Sequence, residues 1–524
     1  MQQQDCLAAY YLMETHNRPH RNQRMRVVFL VQEPSIWDKQ SDVYDVFDKD
    51  PEVDVMMVVM PSYDAIDTMA GNKQGRYDPK IWHYFSSRYH HVYAFTNIQS
   101  LRVLRPDYVF FDRPYEGLRP MEGLRAADVA QFSKICYISY GTQGLKLFIH
   151  MEMGNPSFFS YVSYYFCDSD EENTLLSSAY PFAGQGGVQH FEALGYPGFQ
   201  SYLSARVERN PVRRILWTPR WSLDENIGGS HFFDYKDAFI EFALRHQSNT
   251  LQFAVRPHPL MFPNFVQQGN MSAAEVEAYK KRLRDSGIEL DEGEEPPFDA
   301  LLCTDILLTD FSSIVMNFFL LNRPLIYCPH GPALTDDYER MAACSYVAED
   351  WGQIEERLEM LISGSDPAAE QRTAFVEEMR LRHDGAAKRI VEYLKGEYRR
   401  KCEPIYSATV EKMLLEKKKE MLSFLLQQER GTLCNMHSYD WYDYYLELLP
   451  IRLHDFELRQ EERQLLEQLV CVYENDEVKN GYLMLAMLLL AEPMGLPIPL
   501  EVDQFSDVFI RDMKSVFERD DAFV

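Results

Sequence analysis

No run in the chain has the length and apolarity that a bilayer crossing demands; the most apolar C-terminal stretch, Tyr482 to Ala491, is about half of a span and reads better as a buried helix. The opening segment, MQQQDCLAAYYLMETHNRPHRNQRMR, lacks a basic stretch leading into an apolar core, so no secretory signal is expected. Pro/Gly/Ser tracts long enough to form a disordered linker are missing, and no repeat shows a clear period. The nine cysteines include no C-x-x-C pair and sit mostly in apolar contexts, as at Cys136, Cys303 and Cys328. They read as reduced core residues and predict a reducing, cytoplasmic compartment. Positive charge is scarce: 53 Lys and Arg face 80 Asp and Glu, a formal net charge of −27. Such a surface repels a polyanion, which argues against a nucleic-acid partner and requires any phosphate site to be a local focus of cations. No metal site is assigned, and the acidic run Asp291–Glu295 reads as a solvated loop.

What the chain does have is 524 residues, 46% hydrophobic and 13% aromatic, enough for two α/β domains of ordinary size and an added segment. Short continuous apolar runs bounded by turn residues, the pattern of strands buried on both faces, occur at Arg26–Gln32, Val53–Met60, His91–Thr96, Tyr108–Phe111 and Ile135–Ile138. A second series follows at Arg214–Thr218, Leu251–Val255, Ile306–Thr309 and Pro324–Tyr327. Between them lie helical patterns, which predicts two parallel-sheet, Rossmann-like domains in tandem. The expected boundaries are an N-terminal extension over 1–24, a first domain over 25–205, a second over 206–400 and an all-helical extension over 401–524.

Two segments carry chemistry. In the first, the strand Ile306–Thr309 ends in Asp310-Phe311-Ser312-Ser313, and the spacing of Ile314, Val315, Phe318 and Phe319 then predicts a helix. Free N–H groups at a strand-to-helix turn favour an anion, and Ser312 and Ser313 add hydroxyls, making a diphosphate cradle without a P-loop lysine. The alternative is that Ser312 simply caps the helix. In the second, Arg256-Pro257-His258-Pro259 follows the strand Leu251–Val255. Residues beyond the carboxyl ends of parallel strands face the ligand crevice, so Arg256 and His258 are expected beside the two serines. An imidazole there can titrate near neutrality or stabilise a leaving phosphate; the alternative is a histidine held between prolines by backbone bonds. The glycine-rich Gly184-Gln185-Gly186-Gly187 lacks the strand and helix context of a dinucleotide loop and reads as a connection.

R-P-H-P, then D-I-L-L-T-D-F-S-S, then N-R-P-L-I-Y closely resembles the CDP-glycerol glycerophosphotransferase family, which includes teichoic-acid and capsule polymerases. Leu194-Gly195-Tyr196-Pro197 and Ile215-Leu216-Trp217-Thr218-Pro219 are similar to its G-Y-P and W-T-P segments, so the likeness spans roughly 25–400. The resemblance implies a GT-B fold, with a CDP-type nucleotide donor as substrate in the second domain and the acceptor on the first, and no tightly bound cofactor. It implies donor-binding roles for Arg256, His258, Asp310, Ser312 and Ser313, and an acceptor side of Tyr140, Gly141, Thr142 and Lys146; Arg220 departs from the pattern, standing where relatives often show His, and adds a fixed cation suited to a donor diphosphate. His258 and Tyr140 are the catalytic candidates; Tyr140 stands where relatives resemble W-H-G, and since a tyrosine near its ordinary pKa is a poor base, His258 is expected to matter more for turnover, with Tyr140 on the acceptor side. The implied partners are a nucleotide-activated polyol or sugar and a glycan or lipid-linked acceptor. The same residues suit a glycosyltransferase of this architecture, and a helical tail on an inactive body would make a scaffold. Any membrane contact is expected at the inner face, weak and salt-sensitive, through Glu411–Gln428 with Lys412 and Lys417–Lys419.

Overall fold

The computed structural model describes residues 3–18, 22–61, 78–119, 123–180, 187–206, 212–292, 297–312, 314–400, 403–410 and 412–413. The expected tail helices, the glycine-rich 184–186, Ser313 and most of the basic 411–428 segment lie outside these residues. Residues Tyr11–Ile405 form one compact unit built on two parallel sheets.

The first sheet has seven strands in the order β3-β2-β1-β4-β5-β6-β7: β1 Met25–Val31, β2 Val53–Val59, β3 Val92–Ala94, β4 Tyr108–Phe111, β5 Lys134–Ile138, β6 Val162–Phe166 and β7 His190–Glu192. The second has six in the order β10-β9-β8-β11-β12-β13: β8 Arg213–Thr218, β9 Leu251–Val255, β10 Glu289–Leu290, β11 Ile306–Thr309, β12 Leu325–Tyr327 and β13 Tyr346–Val347. Every pairing is parallel, with β1 running beside β2 and β4, and β8 beside β9 and β11. Central strands such as β4 and β11 are buried at every residue, which is why they are legible as unbroken apolar runs. The expected Rossmann-like pair is therefore present. Four strands escape the sequence pattern: β6 carries a serine among its aromatics, and β7, β10 and β13 are two- or three-residue edge strands.

After residue 365 the described residues include the helices Ala369–His383 and Ala386–Arg399, broken at Gly385, whose φ of 74° lies in the left-handed region that glycine enters freely. The second helix, placed by sequence in the second domain, packs on the first: Arg389 Nε donates to the Leu194 carbonyl at 2.8 Å, Tyr393 hydroxyl to Glu192 at 2.8 Å, and Lys395 pairs with Asp50. One hydrophobic core accordingly runs from Phe29 and Phe110 of the first sheet to Leu216 and Leu307 of the second. The other face of the second sheet has its own core around Trp217, Phe232, Phe239 and Phe253.

Candidate functional site

In both sheets the order reverses between the first and fourth strands, β1 with β4 and β8 with β11, and ligands of open α/β sheets bind outside the carboxyl ends at such a point. The two points are built alike. After β11, Asp310 Oδ2 accepts the Arg220 N–H at 3.0 Å and the Ser230 hydroxyl at 3.1 Å; after β4, Asp112 Oδ2 accepts the Gln32 N–H at 2.9 Å. Both carboxylates are buried, each keeps one oxygen without a partner among the described residues, and burial raises both pKa values. Asp310, expected to meet the donor, thus braces the turns around it.

On the second domain, Arg220 is a buried cation whose Nη1 donates to the Phe311 carbonyl at 3.0 Å and Nη2 to the Ile227 carbonyl at 2.5 Å. Both partners are carbonyls, so its charge remains available to a ligand. Burial lowers its pKa to about 10, which leaves it charged at neutral pH. His258 Nδ1 accepts the Leu260 N–H at 3.2 Å, so the neutral ring carries its proton on Nε2. The ring keeps a solvent-exposed side and lies beside Trp221, with centroids 6.2 Å apart. Desolvation, then the Arg220 charge, lower its pKa to about 4. With its pKa lowered in this way, His258 is a neutral N–H donor at pH 7 in the free protein.

Arg256 turns to Asp291, with an N···O separation of 2.5 Å, and its charge also acts on Tyr202. Asp291, read as part of a solvated loop, is that ion-pair partner. Among the described residues Ser312 Oγ meets only the Ile314 N–H, at 3.5 Å, and the helix behind it spans five residues, Val315–Phe319. So short a helix has little dipole, which removes one support for the expected cradle.

A stronger helix start went unread in the sequence. Phe232–His246, 15 residues long, begins after Gly228-Gly229-Ser230-His231, and Ser230 Oγ both accepts the Phe232 N–H at 3.2 Å and donates to Asp310. His231 stacks on His330 after β12, with centroids 4.5 Å apart. Gly331 has φ 119°, and a Cβ there would lie 2.3 Å from the Glu225 carbonyl, so the turn requires glycine. The available signal was a G-G-S-H segment between a strand and an amphipathic helix.

On the first domain, Tyr140 and Tyr115 share a hydroxyl hydrogen bond of 2.6 Å, and burial raises the pKa of Tyr140, which makes it no base at neutral pH. Arg113 and Arg220 both act electrostatically on Tyr140, which places it between the two switch points. Arg113 Nη2 donates to Gln32 Oε1 at 2.7 Å, and beside it burial raises the pKa of Glu33. Glu33, Asp112, Arg113 and Tyr115 went unnoticed in the sequence because E-P-S and D-R-P-Y form no motif; their position just after β1 and β4 was the only sign.

The rest of the expected acceptor segment joins the domains. Gly141 accepts the Ser139 hydroxyl at 2.5 Å, and Thr142 hydroxyl bonds that of Tyr338. The Lys146 N–H donates to the Ala333 carbonyl at 3.0 Å while its ammonium lies 3.2 Å from Asp336 and 3.3 Å from Glu171. Gly144 packs so closely that a Cβ would sit 2.6 Å from Phe311 and 2.7 Å from Tyr338. Behind this loop, Tyr196 of the G-Y-P segment donates its hydroxyl to the Ser139 carbonyl at 2.9 Å and its N–H to His383 Nδ1 at 3.0 Å. Gln143 spans a buried carboxylate group, its N–H donating to Asp168 at 2.6 Å and its amide to Glu152 at 2.8 Å. Tyr165 hydroxyl bonds both Glu152 and Glu172, and burial raises the pKa of all three acids, Asp168 to about 6. Among the described residues no cluster suits a metal ion.

Residues 206–396 match the model of the family described as CDP-Glycerol:Poly(glycerophosphate) glycerophosphotransferase, a span that holds Arg220, Arg256, His258, Asp310 and Ser312. No curated protein matches the chain. Solved structures similar to it include UDP-GlcNAc 2-epimerase from Neisseria meningitidis, at 14% identity over 71% of this chain and 100% of that one, TM-score 0.47. Another is UDP-GlcNAc 2-epimerase from Methanocaldococcus jannaschii, at 12% identity over 71% and 100%, TM-score 0.44. The wall teichoic acid polymerase TagF is similar at 11% identity over 76% and 93%, TM-score 0.43.

Proposed function

We propose, from a second Rossmann-like domain matching the glycerophosphotransferase family over residues 206–396, that this protein moves a polyol phosphate from a CDP-activated donor to a hydroxyl acceptor in cell-surface polymer synthesis. The observation that carries the reading is that the matched span sets a buried, carbonyl-held Arg220 and the His258 N–H donor at the switch-point end of its sheet, where a diphosphate needs fixed positive charge.

In this reaction an acceptor oxygen attacks the phosphorus bearing the polyol, the bond from that phosphorus to the CMP oxygen breaks, and the acceptor proton leaves to a base. Such transfer depends mainly on positioning and charge stabilisation. Arg220 and Ser312 hold the departing phosphate, and His258 Nε2–H donates to it. A bound diphosphate opposes the Arg220 field, raises the His258 pKa and prepares it to supply a proton to the leaving group. On the facing domain Glu33, half-buried beside Arg113, is the carboxylate able to take the acceptor proton, and Tyr140 shapes that side. Calorimetry with CDP-glycerol tests the binding half of the reading: saturable binding lost in Arg220→Met supports it, and equal affinity in wild type and variant overturns it.

A further inference from the structure

A cavity of about 300 Å³ lies at the seam of the two domains, and none of Arg220, His258, Asp310 or Ser312 lines it. Its walls come from the segment after β5, the start of the Asp170–Ala179 helix, the start of the Asp336–Ala343 helix and the end of the Ala369–His383 helix. That volume is at the low end of the ordinary range for small-molecule sites.

Two helix N-termini border this space, yet neither is free for an anion. Asp170, Glu171 and Glu172 fill the first turn of one and Asp336, Asp337 and Glu339 that of the other. The Asp336 N–H already donates to Glu171 at 2.8 Å, and the Thr335 N–H to the Gly144 carbonyl at 3.0 Å. Five carboxylates, Asp168, Asp170, Glu171, Asp336 and Asp337, line the cavity against two guanidiniums, with the Lys146 ammonium shared between Glu171 and Asp336. Both guanidiniums are engaged: Arg340 holds Glu378 through two bonds of 2.7 and 2.5 Å, and Arg382 pairs with Asp337. Phe199, Met316 and Met379 add apolar wall.

One donor in the wall has no partner among the described residues. His383 is 1% exposed and lines the cavity; its Nδ1 accepts the Tyr196 N–H at 3.0 Å, so its proton sits on Nε2, which bonds nothing. A buried N–H left unpaired is costly, and a ligand oxygen would satisfy it.

From this juxtaposition of excess acceptors, one orphan donor and an apolar wall, we propose that the seam cavity binds a small polyhydroxylated molecule without negative charge, a neutral or amino sugar. Its hydroxyl or ammonium hydrogens meet the carboxylates, one of its oxygens accepts from His383 Nε2–H, and its C–H face lies against Phe199 and the methionines. Because both domains form the walls, occupancy ties them together and stabilises the unit by mass action.

Saturation-transfer NMR and thermal unfolding of the full chain with glucose, glucosamine and glucose 6-phosphate test this. Glucose or glucosamine is expected to bind at millimolar concentration and raise the melting temperature, with glucose 6-phosphate at least tenfold weaker. Asp170→Lys, an exposed change at the cavity edge, is expected to weaken glucosamine at least tenfold, and His383→Phe to weaken both uncharged and amino sugar. CDP-glycerol affinity in Asp170→Lys stays normal, which separates this site from the donor reading. The proposal is overturned if neither sugar binds, if the phosphate ester binds as well as glucosamine, or if Asp170→Lys binds glucosamine like the wild type.

Discussion

Gly144→Ala tests whether the seam between the domains positions the donor site. A Cβ at this residue would lie 2.6 and 2.8 Å from two Phe311 ring carbons and 2.7 Å from Tyr338 Cε1. Carbons pack at about 3.5 to 4.0 Å, so the rings must give way by roughly 1 Å. Neither can do so freely. Each is only 3% exposed; Tyr338 is tethered to Thr142 through its hydroxyl, and Phe311 lies between Phe148 and the Arg220 guanidinium, 5.9 and 5.2 Å away. Overpacking of this kind costs about 1–3 kcal/mol. Moving Phe311 also moves the carbonyl that holds Arg220 Nη1, so donor affinity should fall with stability. The assay is the midpoint of equilibrium urea unfolding together with CDP-glycerol affinity. Gly117→Ala, whose Cβ meets nothing within 4 Å, is the control and should stay within about 0.5 kcal/mol. A Gly144→Ala protein with the control's midpoint and wild-type affinity refutes the reasoning.

His258→Ala should lower turnover more than it weakens donor binding, since its N–H acts most on charge built up during bond cleavage; steady-state kinetics giving a normal turnover number would remove it from the reaction. Tyr140→Phe should keep most activity, and Glu33→Gln should lose at least about tenfold, because general-base help contributes on the order of 100- to 10,000-fold; the reverse ranking would make the tyrosine the acceptor-side group. Ser312→Ala should weaken the donor only a few-fold and leave unfolding unchanged, given that among the described residues its hydroxyl meets only the Ile314 N–H, at 3.5 Å. Asp168 has a folded pKa raised from 3.8 to about 6, so its contribution to stability is present below about pH 3.8 and lost as pH rises to about 6; Asp168→Asn should flatten that decline in urea midpoints.

The sheets were legible where burial on both faces leaves an unbroken apolar run, as in β4 and β11; β6 is as fully buried, but Ser163 interrupts its run. Edge strands such as β10 and β13 are two residues long and leave no pattern. At the site, His258 could be placed from its position after a strand and Arg220 from its place in the W-T-P segment, but partner choice could not. Arg256 is drawn to Asp291, thirty-five positions on, and Thr142 to Tyr338 in the other domain, and no local spacing encodes either pairing. The lowered pKa of His258 was equally hidden, since its causes are burial and a guanidinium from the turn after β8. Gly228-Gly229-Ser230-His231 shows the reverse case: the residues were visible, but only the 15-residue helix they open, and the Asp310 carboxylate they meet, give them a role.

The most direct test of the transferase reading is the nucleotide released when the full chain turns over CDP-glycerol with a hydroxyl acceptor, read by mass spectrometry. Attack at the phosphorus that bears the polyol predicts CMP, formed one for one with glycerophosphate joined to the acceptor and abolished in Arg220→Met. Release of CDP, with transfer of the polyol alone, would contradict it, as would a chain that neither binds nor consumes the donor.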